Sequence, residues 1–243
     1  MPAQLWRPTA LLEKVQASAR NNAELCETVL QAHGVSCGRG NLVLEAGGEP
    51  PPYFPALVTL QPDVRGAVSA HIRKRLKKGA HLPAIKDSFG DTAYTSLGMS
   101  VLFEASWIWR ESVEARFPAN WRIVRDHDEL AAWHTAWRKG GSPTDETVYP
   151  AALLSEPKLH FIACWNGSEI EAGCLLSHSE DVVGLSNFFC VSDTDAAFAD
   201  ASQVASALYP SLPIAGYEAG EMLAASTSAG FTALHRLRVL VAR

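Results

Sequence analysis

The 243-residue chain has no run of about 20 apolar residues, the length a helix needs to cross a hydrocarbon core, and no apolar stretch behind a basic N-terminal region. No membrane span or secretory leader is expected, and the chain reads as cytoplasmic. Cysteine is sparse: Cys26, Cys37, Cys164, Cys174 and Cys190 are odd in number, scattered and without a C-x-x-C pair. That pattern indicates neither a disulfide framework nor a zinc knuckle, and no metal site is expected. Positive charge is not in excess, since 21 Lys and Arg face 26 Asp and Glu for a formal net charge of -5. This balance speaks against nucleic acid or an anionic membrane as partner. P-loop, G-x-S-x-G and H-E-x-x-H motifs are absent, so nucleotide hydrolysis and the common hydrolase and zinc-protease chemistries have no support. What the chain does hold is 47% hydrophobic residues, enough for a well-buried core in one large domain or two compact ones.

Apolar residues at helical spacing (Leu11, Leu12, Val15, Ala19, Leu25, Val29, Leu30) predict a helix from Thr9 to about His33, started at Pro8-Thr9 and stopped at Gly34. NLVLEAG (Asn41 to Gly47) and PALVTLQ (Pro55 to Gln61) read as strands separated by the breaker EPPPY, and a helix follows from about Val64 to Lys78. After a connector from Arg110 to Asn120 come the strand WRIVRD, the amphipathic helix DELAAWHTAWRKG ended by Gly140-Gly141, and the polar loop SPTDETVYP. The segment from Leu159 to Cys190 contains three strand-like runs, with Asn166-Gly167 as a two-residue hairpin signal. Helical spacing resumes from about Asp195 to Leu208. The many Trp residues read as core and packing groups.

A repeat emerges by counting. Leu82-Pro83 and Leu212-Pro213 lie 130 residues apart, as do the strand ends Gln61 and Val191, and Gly98-Met99 and Gly230-Phe231 lie 132 apart. Each copy runs strand, helix, strand with a Leu-Pro start, short helix, Gly plus a large apolar residue, and a long final strand. In the final strands Phe103, Ala105 and Trp107 match His235, Leu237 and Val239. The pattern predicts an internal duplication whose halves protect one another's sheet edges.

In this order of elements, above all in FIACWNGSEIEAGCLLS, VVGLSNFFCVS, LPIAGYE and AGFTALHRLRVLV, the chain resembles the GNAT superfamily of acyl-CoA-dependent N-acyltransferases. The resemblance covers about four-fifths of the chain in two unequal pieces. It implies an α/β fold with a mixed sheet, divided into a partial GNAT-like unit over residues 1–115, abbreviated by the loss of its opening strand and hairpin, and a fuller one over 116–243. It also implies acetyl-CoA or another acyl-CoA as co-substrate, a small-molecule amine as acceptor, and leaves a homodimer open.

GNAT enzymes hold the CoA pyrophosphate on backbone amides at a helix N-terminus, where the helix dipole favours an anion and glycine permits close approach. In the second copy this place reads CVSDTDAAFADAS, with Asp195, Phe198 and Asp200 where Arg or Gln and two small residues belong. The carboxylates at the start of this helix, Asp193 and Asp195, suit capping and would repel a pyrophosphate. In the first copy LQPDVRGAVSA is the better match: Arg65 takes the Arg or Gln place, Gly66 and Ala67 follow, Val68 stands where the first glycine belongs and Ala70 where the last small residue belongs. The basic run Arg73, Lys74, Arg75, Lys77 and Lys78 reads first as a solvated helix face. The family often uses a tyrosine four residues before the Gly pair to protonate the leaving thiolate; that place holds Tyr94 in the first copy and Ser226 in the second. Asp87 falls where many members carry Asn. Glu104, Glu169, Glu171, Glu218 and His178 are all possible bases by type, and Tyr217-Glu218 at a strand end is the most suggestive pair. The sequence therefore predicts acetyl transfer to an amine, with Arg65, Gly66, Ala67, Val68 and Ala70 at the cofactor and Tyr94 and Glu218 in catalysis. The alternative is a catalytically inactive GNAT-fold protein that binds a metabolite or a protein partner.

Overall fold

Strands of β-branched and aliphatic residues build one mixed sheet in the computed structural model, which describes residues 10–191 and 193–243. The first half holds α1 (Ala10–Ala32), β1 (Cys37–Arg39), β2 (Val43–Ala46), β3 (Leu57–Thr59), α2 (Ala67–Lys77), β4 (Ala84–Asp87) and β5 (Met99–Arg110). The second holds β6 (Trp121–Ile123), α3 (His127–Lys139), β7 (Leu159–Asn166), β8 (Glu169–His178), β9 (Val183–Cys190), α4 (Thr194–Leu208), β10 (Ile214–Glu218), α5 (Gly220–Ser228) and β11 (Thr232–Ala242). The expected start of the first helix at Pro8-Thr9 lies outside the described residues.

The sheet order is β1-β2-β3-β4-β11-β5-β10-β9-β8-β7-β6. Outwards from the central β11–β5 pair it reads alike in both directions. The parallel pairs are β3–β4 and β9–β10, opened by matching bonds from Ala56 N to Ala84 O and from Val183 N to Pro213 O, both 2.9 Å. The strands β4 and β5 run parallel but one strand apart, and β11 fills the gap; β10 and β11 leave a like gap that β5 fills. Each half thus completes the other, with Ala105 opposite Leu237 at the centre.

Alternation along the strands sends one set of side chains to α1 and α3 and the other to α2, α4 and α5. On the first face Trp133 of α3 is fully buried, its ring centroid 5.2 Å from both Phe161 and Phe189, and its Nε1 donates to Ile162 O at 3.1 Å. Asp126, read from the sequence as the end of the strand WRIVRD, instead caps α3 by accepting from Glu129 N at 2.9 Å, since a carboxylate three residues before Glu suits a helix start. On the second face Phe198 of α4 packs against Phe188 and Phe231, and Val68 and Ile72 of α2 pack with Leu57, Ile85 and Leu240.

Two local expectations shift. The β7–β8 turn consists of Gly167 and Ser168, because Asn166 is still paired with Glu169, and glycine at φ 62° takes the left-handed position. The first half does own a hairpin, β1–β2, whose strands are only three and four residues long. Among the described residues it has no counterpart of β6.

Candidate functional site

The N-terminus of α2 carries the first-copy loop. Arg65 is exposed at φ 56°, Gly66 follows at φ 72°, and these two left-handed residues turn the chain into the helix. The amides of that turn are satisfied from within. Asp63 Oδ1 accepts from Val68 N at 2.8 Å and Ser69 N at 3.1 Å, and Ser69 Oγ donates to Asp63 Oδ2. Gly66 N donates to Asp63 O at 3.1 Å, and Ala67 N to Val64 O. The anion at this helix end is therefore the chain's own carboxylate. Val68 points into the core, while Ala70 is exposed. Of the basic run, Arg75 pairs with Glu45 at 2.6 Å and Arg73 reaches Ser96 at 2.9 Å. At α4 the arrangement repeats: Asp193 Oδ1 accepts from Ala196 N at 3.1 Å, and Ala197 N donates to Asp193 O at 3.0 Å.

Tyr94 sits in a short 3-10 turn, Tyr94–Leu97, that leads into Gly98 at φ 72°. Its ring lies 4.8 Å from the guanidinium carbon of Arg238. Asp87 is fully buried beneath it and binds Arg238 Nη2 at 2.8 Å and Thr92 Oγ1 at 2.8 Å, so a buried ion pair ties β4 to the second half's last strand. Ser226, the second-copy counterpart of Tyr94, is buried and donates to Leu223 O at 2.8 Å. Glu218 ends β10 opposite Ser106, and burial pushes its carboxyl up to about 8. Tyr94 and Glu218 share the α2–α4–α5 face without touching: two interstrand steps, roughly 10 Å, separate the strand of Arg238 from that of Glu218. Between them run Glu104, Ser106 and Arg236, of which Glu104 and Arg236 are exposed.

The pair Tyr217-Glu218 is split, because consecutive strand residues point to opposite faces. Tyr217 faces α1 and α3, edge-on to Trp107 at 5.6 Å, and lines a cavity of about 320 Å³ that straddles both halves. Its apolar wall includes Phe54, Phe103, Trp137 and Val239; Leu102 joins Phe103 at the rim because β5 slips register beside it. Asn187, left-handed at φ 52°, enters from a bulge in β9. The polar end is Lys86, only 5% exposed, whose Nζ donates to Asn22 Oδ1 at 2.8 Å and lies 4.0 Å from the Tyr217 ring centroid. Sequence reading missed this site, since its walls come from both halves and a lysine in a short strand looks like an exposed one.

No protein-family profile matches the sequence, and no curated protein sequence matches it significantly. Solved structures do. A GCN5-related N-acetyltransferase from Kribbella flavida superposes with a TM-score of 0.60 at 11% identity, over 93% of this chain and 95% of that one. A GNAT-family protein from Novosphingobium aromaticivorans follows at 0.57 and 10%, over 93% and 97%, and a functionally unknown protein from Staphylococcus epidermidis at 0.57 and 7%, over 84% and 92%. Identities this low speak for the fold alone. The chain has the mixed α/β GNAT fold, as the resemblance of its sequence implied. No described helix is long and apolar enough to cross a membrane.

Proposed function

We propose that this protein uses the GNAT fold to bind a small molecule in the cavity beside Lys86, without acyl transfer from CoA. One observation carries this reading: the helix amides on which a pyrophosphate would rest are capped by Asp63 in the first half and by Asp193 in the second. A pyrophosphate at either place would have to displace a carboxylate already at hydrogen-bond distance and then lie beside it. The second half adds a steric reason, because Phe198 is wholly buried where a small residue would leave space. The cavity, by contrast, is mostly apolar with few polar groups and within the size of small-ligand sites, about 300–1,000 Å³. Calorimetric titration with acetyl-CoA and CoA tests the reading, and no heat of binding is expected up to millimolar ligand. Binding that disappears in Arg65→Glu would overturn it and place the co-substrate on the first-half loop.

The second reading is acetyl transfer from acetyl-CoA, or another acyl-CoA, to the amine of a small molecule. It draws on Glu218, whose raised affinity for a proton suits a base that takes one from an ammonium near neutral pH. Tyr94 on the same face would be the proton donor to the departing thiolate. The exposed strip of Glu104 and Arg236 between them would then receive the acceptor.

A further inference from the structure

Lys86 is an unusual residue to find under a sheet of this kind. It is 5% exposed, and among the described residues no carboxylate lies within ion-pair distance of its Nζ. Its partners are one amide oxygen, Asn22 Oδ1, and the face of the Tyr217 ring. An ammonium has three donors, so these contacts leave hydrogen-bonding capacity on a group that borders the cavity. Burial of a charge without a counter-ion is costly, and an amide plus a ring face offset only part of that cost. The rest of the wall is apolar, and the entrance is edged by exposed Tyr53, Leu102 and Phe103, at 55%, 62% and 42% of their surfaces.

We infer that the cavity takes a carboxylate ligand with an aromatic or branched aliphatic body, the carboxylate pairing with Lys86 Nζ and the body lying among Phe54, Phe103, Trp137 and Val239. The inference rests on the reading of this cavity as the binding site and adds the ligand's charge and shape. A carboxylate supplies the missing counter-ion and accepts the spare donors. It would enter head first, since the charged end of the cavity is its buried end and the apolar side chains are its mouth. Trp137 makes the site observable, because its indole lines the wall 5.3 Å from the Tyr53 ring.

The probes are 3-phenylpropionate and its uncharged isostere 3-phenylpropionamide, titrated into the full chain while tryptophan fluorescence and heat are recorded. The acid is expected to bind roughly ten- to a hundredfold more tightly than the amide, the range expected for a charge-assisted hydrogen bond. Lys86→Met should remove that preference and leave the amide unchanged. Val239→Trp, which fills the cavity while keeping Lys86, should abolish binding of both. Equal binding of acid and amide to the wild type overturns the inference but leaves a small-molecule site standing. Acid binding that survives Lys86→Met or Val239→Trp places the carboxylate elsewhere and also overturns it. Failure of both probes, together with binding of acetyl-CoA, sinks the underlying reading as well. The acid–amide comparison needs no variant, so it decides even where Lys86→Met does not fold.

Discussion

Replacement of Glu218 by glutamine should change how stability depends on pH. Burial pushes this carboxyl from 4.5 up to about 8, so the folded chain holds its proton more tightly than the unfolded chain does. The stabilising contribution is complete below the unfolded value and is lost as pH rises through the folded value. At 1.36 kcal/mol for each tenfold change in proton affinity, the full difference is about 4–5 kcal/mol, and the residual solvent contact of Glu218 reduces it to about 3 kcal/mol. The wild type should lose that amount, from this group, between about pH 5 and pH 9, whereas Glu218→Gln should not. Urea denaturation at half-unit pH steps, with both proteins in the same buffers, measures the difference. Other groups cancel in it, including His134, which burial pushes down to about 4. The variant should gain on the wild type as pH rises. Parallel curves would mean that Glu218 is solvated, and the argument for it as a base would fall with that result.

Loss of Arg238 should be severe: Arg238→Ala leaves fully buried Asp87 without its cation and should cost about 3–5 kcal/mol in urea denaturation, while Asp87→Leu combined with Arg238→Met should recover much of it. Asp63→Ala removes the carboxylate that satisfies Val68 N and Ser69 N and should cost about 1–2 kcal/mol, where no measurable change would mean that the cap is not formed in solution. Residues 116–243 expressed alone contain β10 and β11 but not the strand between them, so we expect an unfolded chain or a dimer that exchanges β11; a stable monomer by light scattering would contradict the interlocked order. Trp133→Ala should destabilise by about 3–5 kcal/mol because α3 loses its anchor over the sheet, and thermal unfolding will show it.

Local physics was legible at many points. The helix over DELAAWHTAWRKG follows from apolar spacing and a glycine stop, and α3 shows both, whereas its capping carboxylate, Asp126, reads by sequence as the end of the strand WRIVRD. The meander β7–β8–β9 follows from three apolar runs broken by turn residues, and the spacing of the two Leu-Pro landmarks foreshadowed the like-ordered halves of the sheet. Short elements were harder. The strands of the β1–β2 hairpin are too brief to show a period, and the register at Gly167 turned on a single left-handed residue.

The candidate site was harder still, for a definite reason. Motif spacing located the loop at Arg65 and the carboxylates Asp193 and Asp195, but it could not show that Asp63 folds back onto the amides of α2. It placed Tyr217 and Glu218 together at one strand end, but it could not show which of the two faces the cavity, because that depends on what packs on each side of the sheet. The cavity beside Lys86 joins residues from both ends of the chain, Tyr53 to Val239, and exists only because β11 and β5 exchange places. The order of the longer strands and helices was thus written in the sequence, since periodicity and turn chemistry act between near neighbours, and the GNAT-like plan came from the resemblance of that order to the family. Which carboxylate occupies each helix end, which lysine loses its water and where the two halves enclose space were decided by tertiary packing, because those outcomes depend on groups far apart in the chain.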